Sequence, residues 1–97
     1  MSVPFIAEVS SNHQQDLERC FTFIESAAAV GCAGIKFQLF RIEQLFTAEV
    51  LAHSESHRRR KAWQLPTEFI PEIAKACQQH GLLFGCTPFY LDAVAEL

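Results

Sequence analysis

Four polar side chains stand inside short apolar runs of this sequence: Glu8 in FIAEV, Lys36 and Gln38 in GIKFQLF, and Thr87 in LLFGCTPF. A carboxylate, an ammonium, an amide and a hydroxyl can together hold an anionic, hydroxylated substrate and move protons on it. Lys36, flanked by Ile35 and Phe37, is costly to bury alone and calls for an anion, either the Glu8 carboxylate or a phosphate or carboxylate ligand. For a single strand lysine, an internal ion pair or an exposed edge is the ordinary explanation. Three polar strand ends together favour a site. Thr87 before Pro88 is by itself ordinary strand-ending chemistry. Asn12 and His13 follow the first run, where a loop-shaping role outranks catalysis. His13 as a metal ligand lacks a second histidine close by in the sequence.

These residues need elements to position them. Residues 4–9 read as a buried parallel strand ending in the polar stretch from Ser10 to His13. From Asp16, a fitting N-cap, Leu17, Cys20, Phe21, Ile24, Ala27 and Ala28 recur at helical spacing, and Gly31 suits the C′ position. Residues 33–40 alternate Ile35, Phe37 and Leu39 against Lys36 and Gln38, the period of a second strand. Residues 41–65 are the least legible, with a short helix expected around 43–52; so long a connection usually carries function or caps a site. Helical spacing returns at Phe69, Ile70, Ile73, Ala74 and Cys77, with Pro71 tolerable in the first turn and His80-Gly81 as the stop. Residues 82–89 form the third strand, ended by Pro88, and a third helix begins at Leu91.

Repeated strand and helix with right-handed crossovers give parallel β/α units, fitting either an open doubly wound sheet or part of a (β/α)8 barrel. Three units are too few to close a barrel of about 250 residues. In both architectures ligands bind at the C-terminal ends of the strands, where Glu8, Lys36, Gln38 and Thr87 all fall.

Composition sets the remaining bounds. Ninety-seven residues, 49% of them apolar, describe a single globular unit rather than a disordered chain. The formal net charge of −3 gives no reason to expect nucleic-acid or membrane partners. The run from His57 to Lys61 is basic, but no aromatic residues interleave with it, so it reads as a solvated loop or helix face. Cys20, Cys32, Cys77 and Cys86 form no C-x-x-C pair and read as reduced structural thiols. With no signal-like or membrane-spanning stretch, the expected location is the cytoplasm.

Taken in order, Phe5-Ile6-Ala7-Glu8, Asn12-His13, Gly34-Ile35-Lys36-Phe37-Gln38 and Cys86-Thr87-Pro88-Phe89 resemble the successive motifs of sialic acid synthases (N-acetylneuraminate synthases). The resemblance runs through the whole chain. It implies an α/β fold in which residues 1–97 are the first three units of a (β/α)8 TIM barrel, with the C-terminal antifreeze-like domain lying outside the chain. It implies condensation of phosphoenolpyruvate with an N-acyl hexosamine, such as N-acetylmannosamine or its phosphate, to a nine-carbon 2-keto sugar acid with release of phosphate. Lys36 and Thr87 would then contact phosphoenolpyruvate, Gln38 the amino sugar, and Glu8 would anchor or transfer a proton near the reacting sugar. A divalent metal, manganese or magnesium, is implied for the full-length family with its histidine ligands outside this chain, as is a homodimer.

The chain also departs from the pattern. Ser10 stands where the family often has Gly, Leu39 where Thr is common, and the long connection lacks an asparagine that some members use on the sugar. The phosphoenolpyruvate half of the site is therefore better matched than the sugar half. The chain is expected to be inactive alone, with a self-associating structural fragment and a different phosphoenolpyruvate-dependent aldolase as the competing readings.

Overall fold

The computed structural model describes residues 3–97. Three parallel strands, β1 (Ile6–Ser10), β2 (Gly34–Leu39) and β3 (Leu83–Pro88), lie side by side in sequence order. The helices α1 (Leu17–Ala29) and α5 (Ile70–Gln79) provide the crossovers and pack against each other, and α6 (Leu91–Glu96) follows β3. β1 begins two residues later than the apolar run suggests, since Pro4 has no N–H to give a ladder; the Phe5 carbonyl still accepts from Ala33 at 2.8 Å.

Each crossover helix forms for reasons written locally. The Asp16 carboxylate accepts from the amides of Glu18 and Arg19, covering donors the first turn of α1 leaves free. Gly31 and Gly81 take φ of +85° and +70° just beyond α1 and α5, a conformation costly for residues with a Cβ. α1 buries Cys20, Ile24 and Ala27, and α5 buries Ile70, Ile73 and Cys77.

These helix stripes meet one face of the sheet. Val9, Ile35, Phe37 and Leu39 point to them and form the core with Leu65, Leu82 and Ala93. Among the described residues no helix lies over the other face. Residues 41–65 are not a single short helix: they form α2 (Ile42–Leu45), α3 (Ala48–His53), α4 (Glu55–Arg58) and a 3-10 turn (Arg59–Trp63), with a second 3-10 turn (Thr67–Phe69) leading into α5. Thr47 and Ser54 cap α3 and α4 through their hydroxyls, which chops the stretch into pieces too short to show a periodic stripe.

Candidate functional site

In a parallel sheet, residues in register share a face. Glu8 pairs with Lys36, Lys36 with Gly85, and Gln38 with Thr87, so the four sequence-selected side chains occupy the face that the helices leave bare. That face is graded along the strands. Ile6, Gly34 and Leu83 form its N-terminal row, and the polar groups occupy its C-terminal half. Gly34 allows the row to close up, because a Cβ there would meet the Leu83 carbonyl at 2.8 Å and Ile6 Cδ1 at 3.1 Å. An apolar floor below a polar mouth matches a barrel interior, and would suit a second helix layer poorly.

Lys36 Nζ lies 4.0 Å from Glu8 Oε2, with 45% and 43% of the two side chains exposed. Lys36 is thus not a buried charge; the open face lets its ammonium reach water while its anion stands beside it. At that separation and exposure the pair adds at most about 1 kcal/mol to stability. Both groups keep most of their hydrogen-bonding capacity for a ligand.

Between Glu8 and Ser10 the β1 ladder slips, so that Ser10 pairs with Phe37. Ser10 adopts φ +55°, its amide donates to Glu8 Oε1 at 3.1 Å, and its hydroxyl donates to Gln38 Oε1 at 3.4 Å. The bulge therefore fastens Glu8 from below and turns a hydroxyl toward Gln38. Its left-handed backbone is the conformation glycine favours.

The loop after β1 is locked to the long connection. His13 is fully buried, and its Nδ1 accepts the Gln15 amide at 2.9 Å. That bond leaves the proton on Nε2, which faces the Trp63 backbone without reaching full hydrogen-bond geometry. Burial holds the imidazole below its ordinary pKa and outweighs the Trp63 backbone, which favours the charged ring. Gln15 Nε2 donates to the carbonyls of Lys61 and Gln64 at 3.0 Å each, and Gln64 Oε1 accepts the Ile42 amide at 2.8 Å. His13 thus shapes the loop, as its position suggests.

The basic run divides among separate tasks. Arg58 donates to the Leu51 and Ala52 carbonyls at the end of α3, Arg59 pairs with Glu55, and Lys61 pairs with Glu43. A backbone hydrogen bond, and after it the Lys61 ammonium, hold the Glu43 carboxyl below its usual range. Arg60 instead lies over the rings of Phe46 (5.5 Å) and Trp63 (5.8 Å). Sequence reasoning missed these residues: with Ser11, Gln38, Phe40, Leu45 and Phe89, Arg60 and Trp63 line a pocket of about 170 Å³. Trp63 also borders an open depression of about 370 Å³ with Ser10, Ser11, Asn12 and Gln14. The available signal was a lone tryptophan beside an arginine run, which reveals nothing until the connection is folded back over β2.

All four cysteines are free thiols. Burial raises Cys20 and Cys86 to about 11 and pushes Cys77 upward, with Asp16 adding to the first and Glu8 to the second, so these thiols stay protonated. Among the described residues no three His, Cys, Asp or Glu side chains cluster as metal ligands would, and His13 is enclosed. The described residues do not fit a divalent metal. None of their helices is long and apolar enough to cross a membrane.

Comparison with known proteins gives a consistent result. The profile of the NeuB family matches residues 23–97. The spore coat polysaccharide biosynthesis protein SpsE of Bacillus subtilis (strain 168) is 24% identical over 89 residues, covering 84% of this chain and 24% of that protein. Among solved structures, N-acetylneuraminic acid (sialic acid) synthetase from Leptospira borgpetersenii serovar Hardjo-bovis, in complex with citrate, superposes with a TM-score of 0.86 at 27% identity. That match covers 100% of this chain and 33% of the synthetase. The SpsE structure superposes with a TM-score of 0.62 at 25% identity over 87% of this chain and 23% of its own. The chain therefore spans about a quarter to a third of the length of these relatives.

Proposed function

Because the chain belongs to the NeuB family, we propose that its three β/α units carry part of the active site of a synthase joining phosphoenolpyruvate to an N-acyl hexosamine. The observation that carries this reading is the convergence of Glu8, Lys36, Gln38 and Thr87 on the bare, C-terminal half of one sheet face.

In this reaction the methylene carbon of phosphoenolpyruvate forms a bond to the aldehyde carbon of the open-chain sugar. Water adds to the cationic C2 that results, and the tetrahedral adduct expels phosphate to leave a 2-keto acid. Lys36 supplies a compact positive charge for the anionic donor, and Thr87, in register beside Gln38, supplies a hydroxyl. Gln38 offers both an amide donor and an acceptor to the sugar. Glu8, fixed by the Ser10 amide and next to Lys36, supports a role as anchor or proton-transfer residue near the reacting sugar: as a carboxylate it would take the proton released by the attacking water and return it to the aldehyde oxygen as that becomes a hydroxyl. The metal implied by the family would stabilise charge on that oxygen, but the described residues offer it no cluster of ligands.

The test is a chimera in which this chain replaces the matching third of the Leptospira synthetase, assayed for phosphate release from phosphoenolpyruvate with manganese and a panel of N-acyl hexosamines. Release that depends on an N-acyl hexosamine is expected. Lys36→Ala should lower kcat/KM for phosphoenolpyruvate ten- to hundredfold, the range of about 1.5–3 kcal/mol lost with a charge-assisted hydrogen bond. Gln38→Ala should instead raise KM for the sugar and leave that for phosphoenolpyruvate nearly unchanged. A well-folded chimera that releases phosphate with none of the sugars contradicts the proposal, and release with a simple aldose alone points to a different aldolase.

A further inference from the structure

We infer that Ser10 is a positioning residue for the acceptor: its hydroxyl turns the Gln38 amide so that the Nε2 donor, and not Oε1, meets the ligand. This inference rests on the reading of the chain as an amino-sugar synthase and deepens it by stating what the acceptor must present at Gln38, an oxygen lone pair. The Ser10 hydroxyl donates to Gln38 Oε1 at 3.4 Å, which is the single hydrogen bond of that side chain among the described residues. Oε1 is thereby engaged from the β1 side. Nε2 has no such partner, yet it is not sealed away: among the described residues His13 Nε2 is the one buried side-chain nitrogen or oxygen left without a hydrogen bond. Gln38 Nε2 therefore stays open to solvent, with two hydrogens to offer a ligand.

The hydroxyl reaches Gln38 because β1 slips against β2, which sets Ser10 beside Phe37 with its backbone at φ +55°. The amide of the same residue donates to Glu8 Oε1 at 3.1 Å. One bulged residue thus touches two site side chains that stand on neighbouring strands. The two contacts make different demands on the sequence. Any residue except proline supplies the amide, whereas the second contact needs a side-chain donor of serine's reach. Glycine would relax the left-handed backbone and lose the hydroxyl. Strain retained at such a position fits a functional constraint. A bond this long is weak, and a weak bond suffices, since reversing the amide only exchanges its two ends.

The contact itself is read by nuclear magnetic resonance of the nitrogen-15-labelled chain, with the Gln38 side-chain amide pair identified by its loss in Gln38→Ala. Ser10→Ala keeps the backbone strain and removes only the hydroxyl, so it should shift that pair and leave the other glutamine pairs in place. In the chimera, Ser10→Ala should raise KM for the N-acyl hexosamine about three- to tenfold, as expected for one neutral hydrogen bond, with kcat and the KM for phosphoenolpyruvate essentially unchanged. Ser10→Gly should raise it alike although it relaxes the backbone. In a Gln38→Ala background Ser10→Ala should add nothing, because the two residues act as a unit. Gln38→Glu, which offers the sugar an acceptor in place of the donor, should raise KM at least as far as Gln38→Ala. An unmoved amide pair overturns the inference, as do a loss confined to kcat, an additive double variant, or a Gln38→Glu chimera with native KM. Phosphate release by a chimera indifferent to Ser10→Ala would remove the role of Ser10 and leave the reaction standing. A chimera without release would remove the synthase reading, and the amide spectrum would still decide whether Ser10 holds Gln38.

Discussion

Ser10 shows how a site residue can be held under backbone strain. At φ +55° its Cβ crowds the backbone, a conformation disfavoured by about 1–2 kcal/mol outside glycine. What Ser10 gains is one long hydroxyl contact with Gln38 at 3.4 Å. Ser10→Gly should therefore stabilise the chain by about 0.5–1 kcal/mol, since glycine's own entropy loss offsets part of the relief. Thermal unfolding should show Tm rising by a few degrees; an unchanged or lower Tm would mean that the hydroxyl contributes more than its geometry suggests. Lys36 gives the opposite case. Because the Glu8 pair is half exposed, Lys36→Ala should change stability by less than about 1 kcal/mol, even though donor binding is expected to fall tenfold or more. A large loss of Tm in that variant would make the pair structural. Both residues were visible in the sequence, Lys36 as a charge in an apolar strand and Ser10 as a departure from glycine. The slip that joins them was not, because it depends on how β1 and β2 align rather than on either run alone.

At the scale of elements, legibility follows periodicity. The burial stripe of α1, the alternation in β2 and the glycine stops at Gly31 and Gly81 were all readable, since each results from neighbours within a few residues. Asp16 belongs to this class: Asp16→Ala should remove about 1 kcal/mol through two orphaned amides, seen as a Tm lower by several degrees. The connection from 41 to 65 resisted reading because its pieces are four to six residues long and are held by distant partners, such as Gln15 on Lys61 and Gln64 on Ile42. His13 is the pin of that arrangement and gives it a pH dependence. Its folded pKa is depressed from the ordinary 6.5, so the unfolded chain binds the extra proton first. Stability is therefore fully present above pH 6.5, declines as the pH falls below it, and levels off beneath the folded pKa. Protonating Nδ1 also abolishes its acceptance of the Gln15 amide. Melting curves between about pH 7.5 and 5.5 should show Tm falling for the native chain. His13→Asn, whose side-chain oxygen can still accept that amide, should start lower and stay flatter; equal slopes would remove His13 as the cause.

For the molecule as a whole, the same bare face that suits a substrate is a liability. A compact domain of 97 residues has a radius of gyration near 12.5 Å, whereas this chain measures 14.7 Å. It exposes 6329 Å² where a compact monomer of its mass exposes about 5,600 Å². Much of the excess is apolar: Leu83 is 70% exposed on the floor of the open face, with Ile6 on the same row, and Leu91 is 91% exposed on α6. β1 and β3 each present an outer edge without a partner strand among the described residues. In the Leptospira synthetase the matched segment is 33% of the chain, which leaves ample polypeptide there to cover such surfaces. Alone, the 97 residues should satisfy their edges with copies of themselves. Light scattering at rising concentration should show mass growing beyond the monomer, and the double variant Ile6→Lys, Leu83→Lys should suppress that growth by placing like charges on the apolar row. Those substitutions lie at the opposite end of the face from Gln38 and Thr87. A native chain that stays monomeric would show that the open face is already adequately solvated. Association that persists in the double variant would move the contact from the face to another surface, with α6 the first to probe through Leu91→Lys.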